Sequence, residues 1–149
     1  MKKTFFILLF FVSSCGYQPI YLNKNLASFE FKKITLDGDA EINDKIINTL
    51  SIKESDIAKN QNKLFISSSS LDQETSKNSK GEVESYRTLV TVNLKIIDIN
   101  NTIIRSKNFS KEFTYNNREN KFELVEYQNS IKNDLTDKII GDVIIYLNL

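Results

Sequence analysis

Apolar and polar residues alternate most regularly between Tyr86 and Ile96. Tyr86, Thr88, Val90, Val92, Leu94 and Ile96 fall on one side; Arg87, Leu89, Thr91, Asn93 and Lys95 fall on the other. A period of two with one mostly apolar side is what a half-buried antiparallel strand needs. Asn100-Asn101 follows, a pair that tolerates positive φ and suits a turn. A two-residue loop there sets Tyr86 against Tyr115, Thr88 against Phe113 and Val92 against Phe109, with 103–115 as the returning strand. The same register puts Val90 beside Lys111 and Leu94 beside Lys107, so the returning strand is less clean. A slip of one residue would exchange its faces.

The rest of the chain supplies elements for this hairpin to pack with. FEFKKITL (29–36) predicts a first strand with Phe29 and Phe31 on one face. Asp37-Gly38-Asp39 breaks it, and Asp39 can cap a following helix by accepting from a backbone N–H of its first turn. Ile42, Ile46, Ile47 and Leu50 recur at helical spacing, so 40–50 is predicted as a helix, with an extension through Ile57 to about Asn60 left open. A second strand is predicted from Leu64 to about Glu74. The polar stretch 75–82, with Gly81, reads as a turn or mobile loop. Asn120 followed by Glu123 resembles a capping box with Asn in place of Ser or Thr. Tyr127, Ile131, Leu135, Ile139 and Val143 then repeat every four residues, with Ile140, Ile144 and Leu147 beside them, predicting a long amphipathic helix to the C-terminus. The order is βαβββα. The predicted fold is α+β: a two-layer sandwich in which two helices cover one face of a four-stranded, mostly antiparallel sheet.

The N-terminus departs from this patterning. Lys2 and Lys3 precede an unbroken apolar run, Phe5 to Val12, and then Ser13, Ser14 and the only cysteine, Cys15. A basic start, a short apolar run and small residues before a cut describe a secretory signal peptide. With the cysteine at the cut, the segment resembles the lipobox of bacterial lipoproteins, in which the thiol is acylated and becomes the first mature residue. A membrane span is the alternative, but eight helical residues rise only about 12 Å against roughly 30 Å of hydrocarbon. Ser13, Ser14, Gly16 and Gln18 stop the run from lengthening. A secreted protein with a free or intermolecular thiol is a second alternative. The expected organisation is a cleaved signal at 1–14, a lipidated N-terminus and tether at 15–28, and one α+β domain at 29–149.

Composition narrows the chemistry. Removal of 1–14 from the 149 residues leaves 135, one ordinary domain. Loss of Lys2 and Lys3 leaves 18 basic and 19 acidic side chains, a net charge of −1, without the basic excess of a nucleic-acid binder. The chain has no His, hence no Ser-His pair and no His-ligated zinc, and it has no second Cys for a CxxC motif. Its four glycines are too dispersed for a phosphate-cradling loop, and it has no Ser-x-x-Lys. Glu82 and Glu84 are spaced as a solvated strand face rather than an acid–base pair. The expectation is a protein without catalytic residues, metal or cofactor, apart from covalent acylation at Cys15.

Cys15-Gly16-Tyr17-Gln18-Pro19-Ile20-Tyr21 resembles the mature start of lipopolysaccharide-assembly lipoproteins of the LptE type, in which a lipidated Cys-Gly is followed by an aromatic and, in one branch, by Pro and a second aromatic. The βαβββα order is similar to that family's fold. The resemblance implies a non-enzymatic outer-membrane lipoprotein on the periplasmic side, anchored by three acyl chains. It implies a plug that supports assembly of the large LptD-type β-barrel that inserts lipopolysaccharide, and that contacts lipopolysaccharide itself. Gly16 is not the aspartate that holds many lipoproteins at the inner membrane. Lipopolysaccharide carries phosphates, and Lys77, Lys80 and Arg87 cluster around the 75–87 connection as candidate contacts. The competing expectation is a lipid-anchored adaptor or ligand-binding domain unrelated to lipopolysaccharide.

Overall fold

In the computed structural model, which describes residues 29–58 and 61–148, the period-two run becomes the centre of the sheet. The segments expected to be a signal peptide and a tether, and Cys15 between them, lie outside the described residues. In chain order the elements are β1 (Glu30–Phe31), β2 (Lys33–Gly38), α1 (Ala40–Thr49), β3 (Lys53–Glu54), β4 (Lys63–Lys77), β5 (Val83–Ile97), β6 (Ile103–Asn116) and α2 (Lys121–Asn148). The main sheet runs β2-β4-β5-β6, with β2 parallel to β4 and the other pairs antiparallel. The two helices cover one face, so the two-layer α+β architecture expected from the pattern is the architecture found.

The core lies between that face and the helices. Leu64 and Ile66 of β4, Val90, Val92, Leu94 and Ile96 of β5, and Phe109 of β6 are buried against Ile42 and Ile46 of α1 and Ile131, Leu135, Ile139 and Val143 of α2. Burying each such side chain is worth about 1.5–3 kcal/mol relative to exposure.

The β5–β6 register is the one predicted: Tyr86 faces Tyr115, Thr88 faces Phe113 and Val92 faces Phe109. It is reached by a different route. The turn spans 98–102, Ile97 pairs with Ile103, and Ile96 pairs with Arg105, so Ile104 is an extra residue that shifts the register back by one. The two lysines that spoiled the returning strand also find a reason. On this edge strand, Lys111 pairs with Asp142 of α2 at 2.8 Å, and Lys107 lies over the rings of Phe109 and Tyr146. Inward-pointing charge of this kind discourages further strand addition at an edge.

Three expected boundaries differ. The first strand is two, divided at Lys32: β1 pairs in parallel with β3, and β2 pairs with β4. The first helix does not continue to Asn60. Ser51 takes a φ of +50°, Ser51 N–H donates to Asn48 O, and Ile52 N–H donates to Ile47 O. That is a Schellman end with serine where glycine is usual; it turns Ile52 into the core and leaves Ile57 in solvent. The strand expected to stop near Glu74 runs to Lys77, because pairing with β5 continues through two register shifts to Lys77–Val83.

The strand-to-helix corner behaves as its residues suggest. Asp39 Oδ1 accepts from the N–H groups of Glu41 and Ile42 at 3.0 and 3.2 Å. The Asp39 N–H donates to Ser68 O, and buried Asn43 donates to Asp37 O and lies 2.8 Å from the Ser68 hydroxyl. These bonds tie the start of α1 to β4. At the other helix, Asn120 Oδ1 accepts from Phe122 N–H, and its amide reaches the Glu123 carboxylate.

Candidate functional site

The three basic residues of the 75–87 connection do not converge. Lys77 ends β4 and pairs with Glu74 at 2.9 Å. Lys80 is exposed in the 78–82 turn, its N–H held by Asn78 Oδ1. Arg87 lies inside β5, four residues from the strand start, which is roughly 13 Å. Its guanidinium faces Glu112 at 3.5 Å. Pairing along two long strands, which single-sequence proximity does not reveal, separates Arg87 from the turn. Cys15 lies outside the described residues.

The turn end holds a residue that the sequence reading did not single out. Arg118, in the connection from β6 to α2, lines two adjoining open clefts of about 470 and 370 Å³. Asn116 and Asn117 line both, Ser76 and Glu84 one, and Phe113 and Tyr127 the other. The Arg118 guanidinium carbon sits 4.0 Å from the Tyr127 ring centroid, which is cation–π distance. Tyr127 meets Tyr115 edge to face at 5.4 Å, and Tyr115 stacks with Tyr86 at 6.1 Å. Behind them, Asp72 accepts from the Thr88 and Tyr115 hydroxyls. Burial, first, and the nearby Asp72 charge raise the Tyr115 hydroxyl above the ordinary tyrosine value, against the lowering hydrogen bonds of Thr88 and Gln128. The only sequence signal for this cleft was a polar run, Asn116 to Asn120, between two apolar elements.

The larger feature is the second face of the sheet. Its cross-strand rows read Phe65–Lys95–Ser106, Ser67–Asn93–Asn108, Ser69–Thr91–Ser110, Leu71–Leu89–Glu112 and Gln73–Arg87–Thr114. None of these side chains is buried, so no described element covers the face. Of the two central rows, Ser69–Thr91–Ser110 carries only hydroxyls. Ser67–Asn93–Asn108 carries a hydroxyl and two amides and continues on β2 to Asp37, whose carboxylate accepts from the Ser67 hydroxyl at 3.1 Å. Asn93 Oδ1 and Arg87 Nε are shielded from solvent yet have no hydrogen-bond partner among the described residues. The hydroxyls and amides of β4, β5 and β6 at its centre can pair with a polar wall through hydrogen bonds, with the charges of Asp37, Lys95, Arg87 and Glu112 around them.

No helix of the described residues is long and apolar enough to cross a membrane; α2 buries Leu124, Ile131, Leu135, Ile139, Ile140 and Val143.

No protein-family model matches the chain, and no curated protein matches it significantly. Solved structures do. The fold is similar to rare lipoprotein B from Shewanella oneidensis, with a TM-score of 0.50, 11% identity, and coverage of 78% of this chain and 99% of that one. It is also similar to lipoprotein B from Nitrosomonas europaea, an uncharacterised protein, with a TM-score of 0.54, 10% identity, and coverage of 85% and 88%. The architecture is therefore one that bacterial lipoproteins adopt.

Proposed function

We propose that the chain is a lipid-anchored outer-membrane lipoprotein that plugs, and supports the assembly of, the large β-barrel that inserts lipopolysaccharide. The observation that carries the reading is the uncovered sheet face, whose central rows on β4, β5 and β6 are hydroxyls and amides, with Asp37 at the β2 edge. The lumen of a large barrel is polar and wet, and such a face meets it through hydrogen bonds. The signal-like sequence at 1–14, followed directly by Cys15, supports the anchor, and the likeness to two lipoproteins supports the class of protein.

The reading makes acylated Cys15 the membrane attachment, on the periplasmic side. Lipopolysaccharide phosphates are assigned to the turn end, where Lys77 and Lys80 lie and where Arg118 adds a planar donor; Arg87 would have to exchange Glu112 for phosphate. No catalytic step, metal or cofactor enters the mechanism.

Co-purification in mild detergent tests the partner. The mature chain is expected to bring down a large outer-membrane barrel, and recovery as a free monomer from cells that contain such a barrel would overturn the reading. Intact mass tests the anchor: residues 1–14 should be absent and acyl mass present. Cys15→Ala should remain unprocessed or mislocalise. Charge reversal at Lys77 and Lys80 should weaken lipopolysaccharide binding, and unchanged binding would remove these two contacts.

A further inference from the structure

The end of the domain opposite the Lys80 turn is apolar in an unusual way. Among the described residues, five of the ten exposed large hydrophobics are isoleucines that topology gathers there: Ile57, Ile99, Ile103, Ile104 and Ile145. Ile99 sits in the β5–β6 turn and is 60% exposed; Ile103 and Ile104 open β6. Ile57 follows β3, whose neighbours Lys53 and Ser55 donate to the carbonyls of Phe29 and Phe31. Ile145 is in the last turn of α2, where the Tyr146 carbonyl accepts from Arg105. The Lys63 ammonium closes the group by donating to Asn101 Oδ1 in the turn.

This is also the end at which the chain reaches the domain. Phe29, the first described residue, lines one cleft of about 330 Å³ together with Ile104, Arg105 and Leu147. Thirteen residues, 16–28, separate Phe29 from Cys15. Fully extended, the connection spans at most about 50 Å, so an acylated Cys15 keeps this end, where the chain joins the domain, within that distance of a bilayer. The main strands run about 50 Å, so an end-on molecule holds the opposite end well clear of the lipid. Isoleucine has no polar group to leave in water, and a cluster of them at a membrane-tethered end is suited to the boundary between headgroups and acyl chains.

The geometry points to a second membrane contact, resting on the lipid anchor of the proposed function: the β5–β6 turn and its neighbouring isoleucines dock into the bilayer surface and stand the domain on end. The partner is the lipid surface itself. Lys63 and Arg105 lie at the level of the headgroups while the isoleucines enter below them.

The chain contains no tryptophan, so a single substitution provides a unique reporter. Full-length lipidated Ile104→Trp and Ile99→Trp proteins are reconstituted into phosphatidylethanolamine–phosphatidylglycerol vesicles. The vesicles carry bromine near the top of the acyl chains, at the roughly 5–10 Å depth that interfacial groups reach. Circular dichroism checks folding, and the two variants guard against loss of either one. Phe122→Trp, at the opposite end, is the reference. Both isoleucine-site reporters should lose more than half their emission, while Phe122→Trp should lose little. The result should survive high salt, because the contact is apolar. Equal quenching at both ends, or none at either, overturns the proposal, as does an Ile104→Trp shielded from iodide yet untouched by bromine, which would mean that protein covers it. Failure of the protein to float with vesicles refutes the anchor instead, which keeps the two outcomes distinct.

Discussion

Gly38 and Gly81 both hold a positive φ, +85° and +82°, but only one is crowded. A Cβ on Gly38 would lie 1.9 Å from Ser68 O, the acceptor of the Asp39 N–H, whereas a Cβ on Gly81 would meet nothing within 4 Å. Gly81→Ala should therefore cost only the backbone strain, about 1–2 kcal/mol. Gly38→Ala should cost clearly more, because the start of α1 must leave β4. Urea denaturation of both variants checks the order, and equal losses would contradict it. Tyr115 gives a pH-dependent counterpart. Its hydroxyl is held neutral by burial, so its folded pKa lies above the unfolded value of about 10. The stability it contributes is complete below that unfolded value and is lost as pH rises through the folded one. Between those values, wild type should lose stability with pH faster than Tyr115→Phe, as measured by denaturation at each pH.

The two hairpin tips of the main sheet are built alike although their sequences are not. In each, the side chain of the first turn residue accepts from the N–H groups two and four positions on: Asn78 from Lys80 and Glu82, Asp98 from Asn100 and Thr102. In each, the fourth residue is left-handed, Gly81 in one and Asn101 in the other. The polar side chain at the head of the turn thus closes the loop, and the left-handed residue returns the strand. Removing one such acceptor should cost about 1 kcal/mol. Asn78→Ala should speed amide exchange in 76–85 while leaving α2 protected, which hydrogen-exchange mass spectrometry reads directly. Exchange rising in α2 as well would mean that the tip is coupled to the core. β4 beyond Ser68 is paired on one side only, so it should exchange faster than β5 in the same experiment.

At the scale of the molecule, the long sheet separates three surfaces: an isoleucine-rich end where the chain enters, a polar end with Lys80 and Arg118, and an uncovered face with hydroxyls and amides at its centre. Each supports a different contact in the proposed role, with the bilayer, lipopolysaccharide and the barrel wall. The face can be separated from the fold by mutation. Ser69→Arg with Ser110→Arg should shift stability by about 0.5 kcal/mol or less per site, as surface substitutions do. The same pair should abolish co-purification with the barrel. Phe109→Arg, on the covered face, should instead unfold much of the protein, because it buries a charge without a partner. Retained barrel binding by the serine pair would exclude this face as the interface.

Patterns internal to one element were legible in the sequence. The alternation through β5, the four-residue repeat of α2, and the caps at Asp39 and Asn120 depend on neighbours a few positions away, so composition and spacing reveal them. The Tyr86–Tyr115 register is the one a two-residue loop at Asn100-Asn101 would set, but the apolar pattern alone did not fix it, since Lys107 and Lys111 face Leu94 and Val90. The real route is a 98–102 turn with Ile104 as an extra residue. What depends on distant partners was decided by the tertiary structure. The division at Lys32 reflects two different pairing strands, β4 reaches Lys77 because β5 continues beside it, and α1 ends at Thr49 because Ile52 has a place in the core. Arg118 and Tyr127 come together only once β6 and α2 are docked, and Arg87 is separated from Lys77 and Lys80 by the same strand geometry. A sequence shows what each segment prefers; which surface is left uncovered is settled only when every segment competes for the same core.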